Sequence, residues 1–415
     1  MPPTRAFRRA LAPTTLALLA GVAQLALSPP PIVTGQPDAA RLAKIRQRMQ
    51  EFVEQGEISG AVTVVGRKAG VVSLEAVGHR SLEKDLPMQT DTLFRIASMT
   101  KPITAIGIMM LVDEGKLVVE DPVERYLPEF RGQMLVAERS ADTITLKKPS
   151  RPISVRDLLT HTSGLPGGMP PGLAELYTTR NRTLSEAVIA FSQRPLDFEP
   201  GTKWAYCNTG MDTLGRIIEV LSGESYESFL QKRIFQPLGM TDTTFYPTPK
   251  QLERGAVTYD RKDGKLVAAT NTIIGPTPGA RYPIPAGGLH STGGDLAKLY
   301  QTMLRRGTLG STRILSEASV ATMTSVQTGD LPGGFTPGMG FGYGWAVVRT
   351  PMAVTEMLSP GSYGHGSAFG TQAWLDPHRD LFIILLIQRV GLPNADASEM
   401  RRELQRLAVE AIGRK

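Results

Sequence analysis

After Ser98 the apolar positions Ile103, Ile106, Met110 and Leu111 keep the i, i+3, i+4, i+7 spacing of one helical face, and Gly115 ends the run. Upstream, Ala39 to Gln55 carries charged and apolar residues at helical spacing and stops at Gly56. Residues 61–65 and 71–77 then alternate or run apolar around a Lys68-Ala69-Gly70 turn, which predicts a hairpin. From 116 to 154 the pattern is broken by Pro122, Pro128, Pro149 and Pro152 and reads as loops with short pieces of structure. Helical segments follow at 155–159, 184–192 and 226–235, with another from a cap at Asn208 or Thr209 to about Leu221. A helix is predicted over 289–304, with Asp295 and Lys298 on its polar side. The stretch 329–344, with seven glycines and two prolines, reads as a loop feeding a strand at 345–348. Strands are predicted at 363–375 and 381–387, the second an unbroken apolar run as expected of a strand covered on both faces. An amphipathic helix over 398–412 closes the chain. Strands at both ends and helices between predict a mixed α+β fold. Residues 39–115 and 283–415 would form an antiparallel sheet flanked by helices, and 116–282 an inserted, mainly helical domain.

Composition narrows this picture without changing it. Over 415 residues, 41% hydrophobic and 20% charged describe an ordinary globular protein. Arg5, Arg8 and Arg9 precede a mostly apolar run from Ala10 to Leu27 closed by small residues, which reads as a secretory signal peptide over 1–28, cut between 23 and 28. A permanent anchor is the rival, weakened by Pro13, Thr14, Thr15 and Gln24 within the run. Residues 29–38 form a Pro-rich linker. The expected destination is the periplasm or the extracellular space, with no membrane insertion of the mature chain. Losing those three arginines lowers the net charge from +7 to +4, too dispersed to argue for nucleic acid. Cys207 is the single cysteine, so no intrachain disulfide can form. The oligomeric state is not legible.

The candidate chemistry starts at Ser98-Met99-Thr100-Lys101. Residues three apart on a helix are neighbours, so the Lys101 amine can reach the Ser98 hydroxyl. A desolvated amine can take the proton of that hydroxyl, and a helix N-terminus favours an oxyanion forming beside it. Taken alone the pattern is weak, since a helix start also carries Ser and Lys by chance. Tyr206 alone would read as a packed tyrosine, Asn208 as a helix cap and His365 as a satisfied loop histidine. His161 is expected to tie down a loop, and Trp204 to pack.

Taken together, Ser98-Met99-Thr100-Lys101, Tyr206-Cys207-Asn208 and Gly364-His365-Gly366-Ser367 stand in a fixed order, 108 and then 159 residues apart, with Leu158 to Leu165 between. In this the chain resembles the serine β-lactamase and penicillin-binding-protein superfamily over roughly 40 to 410. The likeness is greatest to class C β-lactamases, D-alanyl-D-alanine peptidases and family VIII carboxylesterases. The resemblance implies a β-lactamase/transpeptidase-like fold, Ser98 as acylated nucleophile, Lys101 as general base and Tyr206 in the proton relay. It implies that Asn208 binds Lys101 or a substrate carbonyl, that His365 and Ser367 line the cleft edge, and that the N–H groups of Ser98 and Ala368 form the oxyanion hole. No metal or cofactor is expected.

Two positions depart from the family pattern. Cys207 stands where serine is common, and His365-Gly366-Ser367 replaces the Lys-Thr-Gly that helps β-lactamases hold a substrate carboxylate. Each lost charge-assisted hydrogen bond is worth about 1.5–3 kcal/mol, enough to lower β-lactam affinity by one to two orders of magnitude. A neutral ester would not be affected. G-x-S-x-G, H-E-x-x-H and C-x-x-C are absent, which argues against an α/β-hydrolase elbow and a zinc hydrolase. The expected activity is therefore an exported serine carboxylesterase on small or short-chain acyl esters. The alternatives are a class C-like β-lactamase or D-alanyl-D-alanine carboxypeptidase acting on amides, and a non-catalytic penicillin- or cell-wall-binding sensor.

Overall fold

The structure, a computed structural model, describes residues 37–169, 172–270 and 277–412. The leader read in 1–28 and most of the linker at 29–38 lie outside them. Helix α1 (Ala39–Glu54) leads into strands β1 (Gly60–Arg67), β2 (Gly70–Ser81) and β3 (Leu86–Pro87), and helix α2 (Thr100–Asp113) follows. The middle of the chain holds α3 (Val155–Leu159), α4 (Leu184–Ser192) and α5 (Asn208–Ser222). Helix α6 (Gly293–Leu304) precedes strands β4 (Met339–Phe341), β5 (Ala346–Val348), β6 (Tyr363–Gly366), β7 (Gln372–Asp376) and β8 (Leu381–Leu386), and α7 (Glu399–Ala411) comes last.

These eight strands form one antiparallel sheet in the order β4-β5-β6-β7-β8-β1-β2-β3. The two chain ends meet where β8 pairs with β1, with Val64 opposite Ile384. The unbroken apolar run of β8 follows from what covers it. Leu381, Ile383, Leu385 and Ile387 face Ile45, Met49 and Phe52 of α1 and Met400, Leu404 and Leu407 of α7. Phe382, Ile384 and Leu386 face the larger core built on α2 and α6. A strand with helices on both faces has no solvent side to keep polar. Gly66 is needed at the bulge in β1, because a Cβ there would lie 2.0 Å from the Phe382 ring.

Helix α2 is more deeply set than its single apolar stripe predicts, since every residue from Thr100 to Leu111 is buried. At Gly107 it approaches α5 and its neighbours so closely that a Cβ would lie 2.9 Å from Ile218 and 3.2 Å from Leu230. The nucleophile candidate therefore stands at the end of the most enclosed helix, which gives it a rigid mount.

Three local expectations are corrected. The strand predicted over 363–375 is two strands, because residues 367–371 turn, with Gly370 at φ 78°. The short pieces of structure expected within 116–154 include a hairpin in which Leu135–Arg139 pairs with Ile144–Lys147. Asp295 is buried rather than on a polar face, because it accepts from the Asp242 N–H and the Thr243 hydroxyl. The cap of α5 is Cys207, whose Sγ accepts from the Gly210 N–H at 3.2 Å, and not Asn208 or Thr209. Among the described residues, no helix is long and apolar enough to cross a membrane.

Candidate active site

Ser98 sits in a single 3-10 turn, Ala97–Met99, that feeds α2, and its side chain is half-buried while its neighbours are enclosed. Ala97 holds φ at 42°, a conformation that costs a non-glycine residue free energy and persists only when the surroundings fix it. Packing against Phe369 supplies part of that constraint. It also brings the turn after β6, which includes Ala368, beside the Ser98 turn, and Thr371 Oγ1 donates to Ile96 O at 3.5 Å. The turns that carry Ser98 and Ala368 are thereby adjacent, the placement that an oxyanion hole built from their N–H groups would need.

Lys101 Nζ lies 3.3 Å from Ser98 Oγ, 2.8 Å from Asn208 Oδ1 and 2.7 Å from Ala286 O. The amide oxygen and the backbone carbonyl can only accept, so in the neutral amine they take its two N–H bonds. The lone pair then faces the one partner that can donate, the Ser98 hydroxyl. Burial lowers the Lys101 pKa to about 7, against opposing pulls from Asp212 and Cys207. An amine that is neutral near pH 7 and aimed at a hydroxyl can serve as its base.

Tyr206 completes the cluster through its ring as well as its hydroxyl. Lys101 Nζ stands over its ring, 4.5 Å from the centroid. Burial pushes the phenol well up, against a smaller pull from its hydrogen bond with Ser98. A phenol that keeps its proton can donate and relay, and the base role falls to the amine. Asn208 can reach Lys101 because Cys207 caps the helix in its place. His161 ties this loop down, its Nδ1 accepting from the Cys207 N–H at 3.2 Å. Trp204 packs, with its ring 5.8 Å from Phe335 and 5.7 Å from Phe341.

His365 is buried on β6 with its ring 6.1 Å from that of Tyr206. Its Nδ1 is 2.7 Å from Gly366 O, an acceptor only, so Nδ1 carries the proton and Nε2 the lone pair. Burial, helped by Lys101, lowers its pKa to about 3, so it brings no positive charge to the cleft edge. Gly366 is fixed by space, since a Cβ would lie 2.1 Å from Asp396 Oδ1. Ser367 is buried, and its hydroxyl is engaged within its own turn, 2.6 Å from Thr371 Oγ1 and accepting from the Phe369 N–H. The structure thus gathers Ser98, Lys101, Tyr206, Asn208 and His365 in one place and gives the Ser367 side chain to the turn. Ala286 O was not legible beforehand, because a backbone acceptor leaves no mark in a sequence. Asp212, on the buried face of α5, left one: a carboxylate among Met211, Leu214 and Ile218.

A family model described as Beta-lactamase matches residues 45–408. The chain belongs to the beta-lactamase family. This family chain is 34% identical over 370 residues to Protein Rv1367c of Mycobacterium tuberculosis, covering 84% of this chain and 90% of that one. It is 30% identical over 375 residues to Esterase EstB of Burkholderia gladioli, covering 84% and 91%. Among solved structures, EstCE1, described as a hydrolase with promiscuous acyltransferase activity, superposes with a TM-score of 0.73 at 25% identity over 90% of this chain and 98% of that one. This beta-lactamase-family chain is a hydrolase of the serine type, with the mixed α/β fold of that family.

Proposed function

We propose that this hydrolase is a carboxylesterase acting on small or short-chain neutral acyl esters through an acyl-enzyme on Ser98. Lys101 Nζ takes the Ser98 proton as Oγ bonds to the ester carbonyl carbon, and the N–H groups of Ser98 and Ala368 hold the oxyanion. The ester C–O bond then breaks, and the departing alkoxide receives a proton through Tyr206. Water enters, loses its proton to the same relay and releases the acid. Asn208 keeps Lys101 aimed throughout, and His365 shapes the edge of the cleft.

The observation that carries the ester reading is His365, buried and neutral where a β-lactamase places a charged lysine, with the hydroxyl of Ser367 turned to its own loop. An anionic substrate loses two partners there, and a neutral ester loses none. The similarity to Esterase EstB supports the same choice. We also propose export, on the strength of the basic and apolar leader in residues 1–28.

Purified protein offered p-nitrophenyl butyrate and nitrocefin separates the readings. The expected result is a burst of nitrophenol followed by steady turnover, with much slower nitrocefin hydrolysis. Faster nitrocefin than ester would favour the lactamase, and acylation that stops after one equivalent would favour a sensor.

A further inference from the structure

The carbonyl that orients Lys101 belongs to a strained turn. In residues 282–288, Ile284 has φ 57°, an outlier for a β-branched residue, and its carbonyl accepts from the N–H groups of both Gly287 and Gly288. Such strain survives only where neighbours over-determine the backbone. Arg180 Nε holds the start of the turn by donating to Tyr282 O at 2.8 Å, and three side chains, those of Thr104, Asp212 and Lys101, act on Pro285 and Ala286. Thr104 Oγ1 donates to Pro285 O at 2.8 Å and lies 2.6 Å from the Tyr226 hydroxyl. Asp212 Oδ1 accepts from the Ala286 N–H at 2.8 Å. Its other oxygen accepts from the Tyr177 hydroxyl at 2.9 Å and from the Tyr282 hydroxyl at 2.5 Å, and those two rings stack 5.8 Å apart. Helix α5 can press this close because Gly215, one turn after Asp212, offers no side chain; a Cβ there would lie 2.3 Å from Pro285 Cγ.

One peptide unit therefore connects the carboxylate to the amine. The N–H of Ala286 points to Asp212 and its C=O to Lys101, while Asn208, four residues before Asp212 on the same face of α5, supplies the second acceptor. We propose that Asp212 is a positioning residue: it fixes the Ala286 carbonyl that aims Lys101, and its negative charge sets the pH at which that amine becomes a base. The charged and titratable groups around the pair are Lys101 on α2, Cys207, Tyr177, Tyr226 and Tyr282 about Asp212, and Tyr206, His161 and His365 about Lys101. The two histidines are held neutral by burial, and burial pushes the phenols and the Cys207 thiol upward, so Asp212 is the member of this set that carries an opposite charge near Lys101. Burial raises the Asp212 pKa to about 6, against the phenols and the Ala286 N–H, which leaves it ionised where the base works.

The inference rests on Lys101 being the base, and the experiment keeps the two apart. Asp212→Asn retains an acceptor for the Ala286 N–H and removes the charge. The acidic limb of kcat/KM for p-nitrophenyl butyrate should then move about one unit to lower pH, because a nearby anion favours the protonated amine and its loss favours the neutral one. Asp212→Glu keeps the charge and displaces the carbonyl: the limb should stay and kcat should fall at least about tenfold at unchanged KM, which also decides the matter if the Asn variant fails to fold. A limb that does not move in the Asn variant, or a Glu variant with the parent kcat, overturns the proposal. Lys101→Ala is measured alongside. If it is active the base assignment fails, and if it is inactive while the Asn limb stays put, only the role of Asp212 fails.

Discussion

At the scale of single residues, function turns on keeping one amine neutral and aimed. Lys101 has two fixed acceptors for its two N–H bonds and one donor for its lone pair, so its geometry is already that of a base. Burial lowers its pKa to about 7. The protonated amine cannot accept from Ser98, so kcat/KM for a neutral ester should rise with pH through an inflection near 7 and level above it. A pH series with p-nitrophenyl butyrate measures this, and a profile flat from pH 5 to 9 would contradict it. Ser98 and Lys101 were legible as a hydroxyl and an amine three residues apart on a helix, and Tyr206 only through the resemblance that joins the three motifs. The Ala286 carbonyl was not, since any residue supplies one and only the strained turn at Ile284 aims it. Asp212 could have been found as a carboxylate on the buried stripe of its helix. The neutrality of His365 also needed the fold, because it comes from burial and not from the residue type.

At the scale of elements, α5 does two jobs that a sequence assigns to one residue. Asn208 is a good cap by type, and the sequence alone places it there. The structure gives the cap to Cys207 and so frees Asn208 for Lys101. This also explains why cysteine is acceptable where relatives favour serine, since Sγ accepts from Gly210 as a hydroxyl would. Cys207→Ser should therefore retain stability and activity. Cys207→Ala should lose about 1 kcal/mol, the usual worth of an N-cap, in urea denaturation. An Ala variant as stable as the parent would show that the thiol caps nothing. The split of 363–375 into β6 and β7 was hidden for a related reason. Periodicity reports apolar alternation and is blind to a tight turn whose residues are themselves buried.

At the scale of the whole molecule, the sheet is assembled from the two chain ends, and the amphipathic helices α1 and α7 cover one face. This much followed from pattern: a continuous apolar strand must be covered twice, and the helices at the two ends were the elements available on one side. What pattern could not give was the meeting point of three segments far apart in the chain, the Ser98 turn, the start of α5 and the turn after β6. Their convergence depends on close approaches at Gly107, Gly215 and Gly366, which are set by packing and carry no periodic signal. That convergence is the central claim, and the covalent intermediate tests it most directly. Intact protein mixed briefly with p-nitrophenyl butyrate, quenched in acid and weighed by mass spectrometry, should carry one butyryl group on the peptide containing Ser98, and Ser98→Ala should carry none and turn over no ester. A butyryl group on any other residue, or an active Ser98→Ala variant, would contradict it.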